Sequence, residues 1–402
     1  MQSHPALSDF ADCFQRIIQA QPTIFPNHQF AELALKLFEL QRELNKPYRR
    51  LCAMRGISQE TKLQDWTEIP AVPTSAFKDL ELSCLAANDR TTVFHSSGTT
   101  QHRPSRHFHN SESLSVYEAS LIAAFSQRLD VSNHPTVISL TPGRESAPNS
   151  SLIHMFESFR EKFGDDSSTF VGKSERDGGW TLDGEVARKT LQRTAELGKP
   201  VLILGTAFLY VHLLDYLNKN DISFKLPRGS HALETGGYKG RSRVMPRDEL
   251  HQMICERLGI SSADIICEYG MSELSSQAYD NNLEGIASFS PGLRGTSYPG
   301  FEASKLNNPE RVAPNSGSST VDAKGTRRFH FPPWVRAQII SPETGREVNE
   351  GETGLIRIFD LANVFSVMAI QTEDLGVRHG IDFELIGRAA VAEPRGCSLM
   401  AV

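Results

Sequence analysis

Apolar residues along the chain follow two spacings. Within residues 8–54, Phe10, Cys13, Phe14, Ile17 and Ile18 recur at intervals of about three and four, and Ala31 to Leu44 repeats the pattern. That period lines one face of a helix and predicts an N-terminal helical segment. The stretch 69–80 (IPAVPTSAFKDL) carries two prolines and a Thr-Ser pair, and reads as an extended entry loop ending in a capped turn. Short β-prone runs come next. Thr92 to His95 enters a loop of Ser, Ser, Gly, Thr and Thr, and residues 111–129 then have helical spacing with Ser111 or Ser113 as the cap. TVISL (136–140) leads into a polar loop, VLILG (201–205) leads into a helical run, and ADIICEYG (263–270) follows a helical stretch from Arg247 to Leu258. Repeated strand–loop–helix units predict an α/β fold with an open, mostly parallel sheet and its loops at the strands' C-terminal ends.

From about residue 284 the texture changes. Gly, Pro and Ser become frequent, and NSGSSTVDAKGT (315–326) reads as mobile. Residues 337–360 alternate around a Pro-Glu-Thr-Gly turn, the pattern of a β-hairpin. No internal repeat is evident. The expected organisation is an N-terminal helical segment (1–64), an α/β nucleotide-binding core (65–283), a β-rich subdomain (284–388) and a C-terminal tail (389–402).

Composition narrows the function classes. With 402 residues, 39% hydrophobic and 22% charged, the chain can bury a substantial core, and global disorder is excluded. The net charge is −6 and no long basic run occurs, so nucleic acid is not an expected partner. Six cysteines at wide, irregular spacings contain no Cys-x-x-Cys, which disfavours a disulfide framework or a zinc knuckle and suits a reducing cytoplasm. The first residues lack a signal-peptide pattern. Val201 to Leu214, the most membrane-like stretch, contains Gly205 and stops at Asp215, too short for a span. It reads as a buried strand, a turn and the start of a helix.

Three short segments carry candidate chemistry. Ser96-Ser97-Gly98-Thr99-Thr100 follows a strand with four hydroxyls around one glycine. Hydroxyls and backbone N–H groups donate to phosphate oxygens, and Gly98 permits close approach. It is not a Walker A loop, and taken alone it fits a Ser/Thr-rich surface turn equally well. Glu268-Tyr269-Gly270-Met271-Ser272-Glu273 also follows a strand. There a tyrosine can stack on a purine, Ser272 can reach a phosphate and Glu273 can hold Mg²⁺, the alternative being a strand end with a solvated carboxylate. Thr372-Glu373-Asp374-Leu375-Gly376 sets a carboxylate before an expected glycine turn. Such an acceptor suits ribose hydroxyls, and an ordinary Asp-x-Gly turn is the alternative. Arg388 could pair with an α-phosphate. His95 is either structural or a gate for a substrate carboxylate. His102, His107 and His109 lack a cysteine or carboxylate partner in the sequence pattern and read as a solvated loop ahead of a metal site.

In this order, SSGTT, YGMSE and TEDLG resemble the adenylate-forming superfamily. The closer resemblance is to the LuxE acyl-protein synthetase family, with phenylacetate–CoA ligases more distant. It rests on IPAVPTSAFKD, FHSSGTTQHRPSRHF, ETGGYKGRSR, CEYGMSELSSQAYD and FELIGRAAVAEPRGCSL, and spans most of the chain from about residue 65. The resemblance implies the large domain of adenylate-forming enzymes and use of ATP with Mg²⁺. Ser96 to Thr100 would orient the phosphates, and Gly236, Gly237 and Tyr269 would flank adenine. Gly270, Met271 and Ser272 belong to the same AMP-binding motif. Asp374 would hold the ribose, and Glu273 the Mg²⁺. Cys397, in RGCSL, matches the cysteine that carries the acyl group as a thioester. Without the resemblance it would read as a free cysteine in a frayed tail.

Two departures stand out. The usual Gly-x-Pro-Lys continuation of the hydroxyl loop is replaced by Gln101-His102-Arg103-Pro104-Ser105-Arg106, where Arg103 or Arg106 is a substitute charge. Only fourteen residues follow Arg388, so the superfamily's swinging C-terminal domain is expected to be missing or vestigial. Lys239 is then the internal candidate for its catalytic lysine, against a solvated loop lysine. The implied function is ATP-dependent activation of a fatty or aromatic carboxylic acid to an acyl-adenylate. Acyl transfer to a thiol follows, through Cys397 to a partner protein such as an acyl reductase. The alternatives are transfer to CoA or an acyl-carrier protein, and a non-catalytic nucleotide-binding partner of a reductase complex. The pocket for the acid is expected along residues 141–156 and 205–210, and the other cysteines, Cys267 among them, in the core.

Overall fold

The helical spacing of the first fifty residues is realised as α1 (Pro5–Gln19), α2 (Asn27–Leu44) and α3 (Lys46–Met54). The structure, a computed structural model, describes residues 4–96, 103–129, 134–175, 179–236, 242–243, 245–281 and 327–389. After α3 the chain forms β1 (Val72–Pro73), one helical turn α4 (Ala76–Asp79), β2 (Thr92–His95), β3 (Arg106–His109) and α5 (Ser111–Arg128). The middle of the chain alternates strands and helices. It contains β4 (Thr136–Ser139), α6 (Ser151–Phe163), the short strands β5 (Thr169–Phe170), β6 (Gly172–Ser174) and β7 (Trp180–Leu182), then α7 (Gly184–Leu197), β8 (Val201–Thr206), α8 (Ala207–Lys219), β9 (His231–Thr235), α9 (Arg247–Leu258) and β10 (Ile265–Tyr269). Strands then predominate: β11 (Ala278–Asn281), β12 (Arg328–His330), β13 (Val335–Ile340), β14 (Thr353–Asp360), β15 (Ala369–His379) and β16 (Asp382–Arg388).

Among the described residues one twelve-stranded sheet runs in the order β13-β14-β15-β16-β12-β11-β10-β9-β8-β4-β5, with β1 alongside β15. From β5 to β10 the strands are parallel, and from β10 to β13 each pair is antiparallel. Chemistry explains the division. Every residue of β4, β8 and β10 is buried, as expected for parallel strands covered on both faces. By contrast, β14 alternates from its exposed end, the mark of a strand with one face toward water. The run from Val201 to Leu214 forms β8 and α8 without an intervening turn, and no helix among the described residues is long and apolar enough to cross a membrane.

Three expectations are corrected. The Ser/Thr loop joins β2 to β3, an antiparallel hairpin outside the main sheet, and does not lead directly into a helix. Residues 106–109 alternate between half-exposed and buried, which keeps them extended. The cap of α5 is Asn110, whose side chain accepts from Ser113 N while the Ser113 hydroxyl accepts from Asn110 N. Asp374 to Gly376 lies inside the long strand β15, not in a turn. A side chain at Gly376 would press on Ile356 and Ile339, so the glycine serves sheet packing. Residues 315–326 and the tail from residue 390 lie outside the described residues.

A buried polar hub ties the two halves together. The Asp360 carboxylate is fully buried and accepts from Ser275 N (2.9 Å), the Ser276 hydroxyl (2.8 Å) and Ala362 N (2.9 Å). The Ser276 hydroxyl also meets that of Ser120, which accepts from the indole of the fully buried Trp334. The turn after β14 receives the N-terminal helices. Gln41 of α2 donates to the carbonyls of Asn363 and Val364 and accepts from Met368 N. β1 pairs Val72 with Ile370, in parallel. Replacing Asp360 by Ala leaves three buried donors short of an acceptor. At roughly 1–3 kcal/mol for each unsatisfied group, partly recovered by relaxation, the loss is on the order of 3 kcal/mol. Urea unfolding should show the midpoint fall sharply for Asp360→Ala and less for Asp360→Asn. A midpoint equal to that of the wild type would remove the hub from the stability argument.

Candidate active site

At the C-terminal end of β10 the chain leaves the sheet through Glu268-Tyr269-Gly270-Met271-Ser272-Glu273. The Tyr269 ring is enclosed by Phe383 (5.4 Å between centroids), Phe329 (6.1 Å) and Phe331 (6.2 Å), and the residue is 5% exposed. In this conformation the ring offers no open stacking face, and its polar end reaches out instead. The Tyr269 hydroxyl donates to Asp374 Oδ2 at 2.9 Å. Asp374 stands opposite Arg388 across β15 and β16, beside a register shift at Leu375 and Gly376. Arg388 Nε donates to Asp374 Oδ1 at 3.3 Å from an otherwise exposed side chain. One carboxylate thus holds a phenol on one oxygen and a guanidinium on the other.

The opposite face of β10 carries a second acid. Glu268 is buried and accepts a hydrogen bond from the Thr235 hydroxyl of β9. Burial raises its carboxyl from the usual 4.5 to about 7, an effect that the Thr235 bond reduces and the charge of Glu234 adds to. Gly270 makes room for it, since a Cβ there would collide with Glu268 Oε1. The glycine of this motif therefore has a packing reason that its sequence setting alone did not disclose.

The hydroxyl-loop hairpin is pinned to the same corner. Ser105 N donates to Ser96 Oγ (2.9 Å), and Ser96 N to Ser105 O (3.3 Å), closing the base of the loop. His107 is buried and its Nδ1 donates to the Ser272 carbonyl at 2.9 Å. Burial lowers His107 to about 4, so the ring is neutral and that proton stays on Nδ1. His109, 4.2 Å away between centroids, contacts the Ser113 hydroxyl (3.1 Å). The expected solvated histidine loop is therefore corrected: His107 and His109 are core residues that dock the hairpin, because alternation turns both inward. His95 is half-buried, with its ring pKa lowered chiefly by burial, and its backbone N–H donates to Asn149 O.

The remaining candidate residues fall around this corner or outside the described part. The Ser272 hydroxyl donates to Glu273 Oε2 (3.1 Å), and Asn363 Nδ2 donates to the Glu273 carbonyl (2.8 Å), joining the motif to the hub. Met271 is partly buried against the main core. Gly236 ends β9 with φ +68°, a left-handed turn that favours glycine. Ser97, Gly98, Thr99, Thr100, Gly237, Lys239 and Cys397 lie outside the described residues. Sequence reasoning missed Asp360, Asn363, Gln41 and the docking role of His107. The alternation in RHFH was the available signal for His107. The others act across more than eighty positions, which no local pattern reports. Chemically, the corner offers a carboxylate for hydroxyls, an arginine for an anion and a second, buried carboxylate, Glu273, that accepts from the neighbouring Ser272 hydroxyl.

Known proteins resemble this chain in sequence and in fold. The family model described as Acyl-protein synthetase, LuxE, matches residues 11–286. A curated protein of Aliivibrio fischeri, named long-chain-fatty-acid–luciferin-component ligase, is 22% identical over 382 residues, covering 92% of this chain and 86% of its own length. Its namesake in Vibrio harveyi is 22% identical over 365 residues, covering 88% and 82%. Among solved structures, an open conformation of 2-hydroxyisobutyryl-CoA ligase in complex with 2-HIB-AMP and CoA superposes with a TM-score of 0.58 at 10% identity, covering 90% of this chain and 69% of that one. The same ligase in its thioesterification state gives 0.58 at 12% identity, covering 92% and 70%. The fold is that of the adenylate-forming ligases.

The buried Glu268 makes stability depend on pH. The folded chain holds the proton more tightly than the unfolded chain, so this group's contribution is complete below about pH 4.5 and declines as pH rises through about 7. The decline amounts to on the order of 3 kcal/mol. Melting curves from about pH 5 to about pH 8 should show a fall in Tm for the wild type that is flattened in Glu268→Gln. Parallel pH profiles for the two proteins would contradict this assignment.

Proposed function

Because the chain belongs to the LuxE acyl-protein synthetase family, we propose a two-step reaction for it, adenylation of a fatty acid followed by acyl transfer to its own cysteine. The chain is an ATP-dependent ligase that activates a carboxylic acid. The finer steps follow from its residues. A carboxylate oxygen of the acid attacks the α-phosphorus of ATP, the bond to the β-phosphate breaks, and pyrophosphate leaves. The protein's part is positioning and charge neutralisation. Ser96 to Thr100 donate to phosphate oxygens. Asp374 accepts from the ribose hydroxyls, with Tyr269 fixing its orientation, and Gly236 and Gly237 let the chain pass close to adenine. Arg388, exposed and hinged on Asp374, turns to the α-phosphate.

Mg²⁺ fits beside Glu273: the carboxylate is buried and, among the described residues, forms no ion pair with Lys, Arg or His. When bound there it would supply charge neutralisation to the phosphates. In the second step the Cys397 thiolate attacks the acyl carbonyl, AMP leaves, and a thioester results. Lys239 is the proposed lysine partner of this chemistry. The acyl chain then passes to a partner protein, for which an acyl reductase is the proposed class.

The observation that carries the reading is a pair of hydrogen bonds, His107 to the Ser272 carbonyl and Tyr269 to Asp374. They bring the hydroxyl-loop hairpin, the β10 motif and the β15 carboxylate to one corner. The choice of a long-chain fatty acid follows the names of the two curated relatives. The likeness in fold to a CoA ligase favours CoA as the second candidate acceptor.

ATP–pyrophosphate exchange across a panel of fatty and aromatic acids tests the first step. Exchange with long-chain acids is expected, and Asp374→Ala should lower kcat/KM for ATP by about tenfold or more, corresponding to about 1.4 kcal/mol. Absence of exchange with every acid would leave only a nucleotide-binding role. The second step is read from labelled acid after denaturation. Label should remain on the wild type and be lost from Cys397→Ala. Turnover that requires CoA and survives Cys397→Ala would move the acceptor to CoA.

A further inference from the structure

We infer that Glu234, His251 and Cys267 form a binding site for a zinc-type divalent cation, independent of the adenylation reading. Glu234 on β9 and Cys267 on β10 are register partners in neighbouring parallel strands, so both side chains leave the sheet on the same face. His251, on the buried side of α9, meets them there. Cys267 Sγ lies 3.4 Å from Glu234 Oε2 and 3.8 Å from His251 Nε2, and that nitrogen lies 3.8 Å from the same carboxylate oxygen. All three residues are buried, at 7%, 6% and 3% exposure for Glu234, His251 and Cys267.

These separations are the edges of a tetrahedron. With zinc bonds of about 2.3 Å to sulfur and about 2.0–2.1 Å to nitrogen and oxygen, neighbouring ligand atoms stand about 3.3–3.6 Å apart. A contraction of a few tenths of an ångström brings the three atoms onto one ion, and water completes the fourth position. One sulfur, one nitrogen and one oxygen donor select a borderline-soft cation and disfavour Mg²⁺ or Ca²⁺, which take oxygen shells. Charge also balances. A thiolate and a carboxylate neutralise a divalent ion, while Asp280, which also faces Cys267, is already engaged by Arg327 and Arg128. Asp280 in turn accepts from Cys267 N at 2.8 Å, fixing the backbone of the sulfur ligand.

Position gives the site its role. Glu234 is two residues before Gly236, and Cys267 two before Tyr269, so a bound ion joins β9, β10 and α9 directly behind the candidate active site. Such an ion acts as a structural clamp on two strand ends.

The test uses the full, tag-free chain, stripped with chelator and reloaded with Zn²⁺ or Co²⁺. Elemental analysis should find about one ion per chain, and the cobalt form should show a thiolate-to-metal absorption band. Zinc-edge X-ray absorption should report one sulfur at about 2.3 Å with nitrogen and oxygen at about 2.0 Å. Cys267→Ser should abolish the cobalt–thiolate band, and His251→Gln should weaken zinc about tenfold or more, with circular dichroism reporting the fold of each. Folded wild-type protein that retains no ion, a shell without sulfur, or full binding in both folded variants would overturn the site. The X-ray absorption measurement decides the matter on wild-type protein even where a variant does not fold.

Discussion

A carboxylate without access to water organises this molecule. Asp360 has no exposure, and burial raises its carboxyl from the usual 3.8 to about 6 despite the groups that donate to it. Stripped of water, its oxygens must be met by protein: the turn after β14 supplies one donor locally, and the segment after β10 supplies two from more than eighty residues away. Satisfying one residue therefore fixes how the parallel half of the sheet meets the antiparallel half. Asn363 extends the same logic by donating to Glu273 O and Val367 O, so the loop bearing Ser272 and Glu273 inherits its position from the hub.

From that anchored loop the corner is assembled by single contacts of high consequence. A neutral histidine carries the hairpin to a carbonyl, and a phenol carries the β10 motif to the β15 carboxylate. Each contact is shielded from water by aromatic rings, Phe77 beside His107 and three phenylalanines around Tyr269, which strengthens the polar bonds they enclose. Arg388 lies at the exposed rim, where a ligand could turn it without disturbing the core.

The sequence disclosed elements whose pattern is local. The all-apolar Val201–Leu204 run, the helical stripes of α1 and α2, and the alternating hairpin of β13 and β14 are each written in a few adjacent residues. Motif residues could be singled out by local chemistry, Tyr269 at the end of a strand and Asp374 as a carboxylate shortly before a glycine. What stayed hidden was pairing across distance. Asp374 read as a turn because Asp-Leu-Gly suits one, but Ile356 and Ile339 on neighbouring strands require a glycine within a strand. Ser113 read as a helix cap, and in the structure it is the reciprocal member of a box begun by Asn110. The buried set Glu234, His251 and Cys267 could not be found from spacing, since strand register and helix placement create it.

The way the N-terminal helices are seated has a consequence for how the chain comes to be folded. Gln41 reaches carbonyls 322 and 323 positions away, and β1 finishes the edge of β15 in parallel. During synthesis α1 to α3 emerge long before β14 and β15, and their polar anchor is delivered only once those strands have been made. Contacts of such long range slow the search for the native state and leave apolar helix faces uncovered in the interval. Seating of the N-terminal helices is therefore governed by strands made some three hundred residues later, and a nascent chain stalled before β14 and β15 would be a natural client for chaperones.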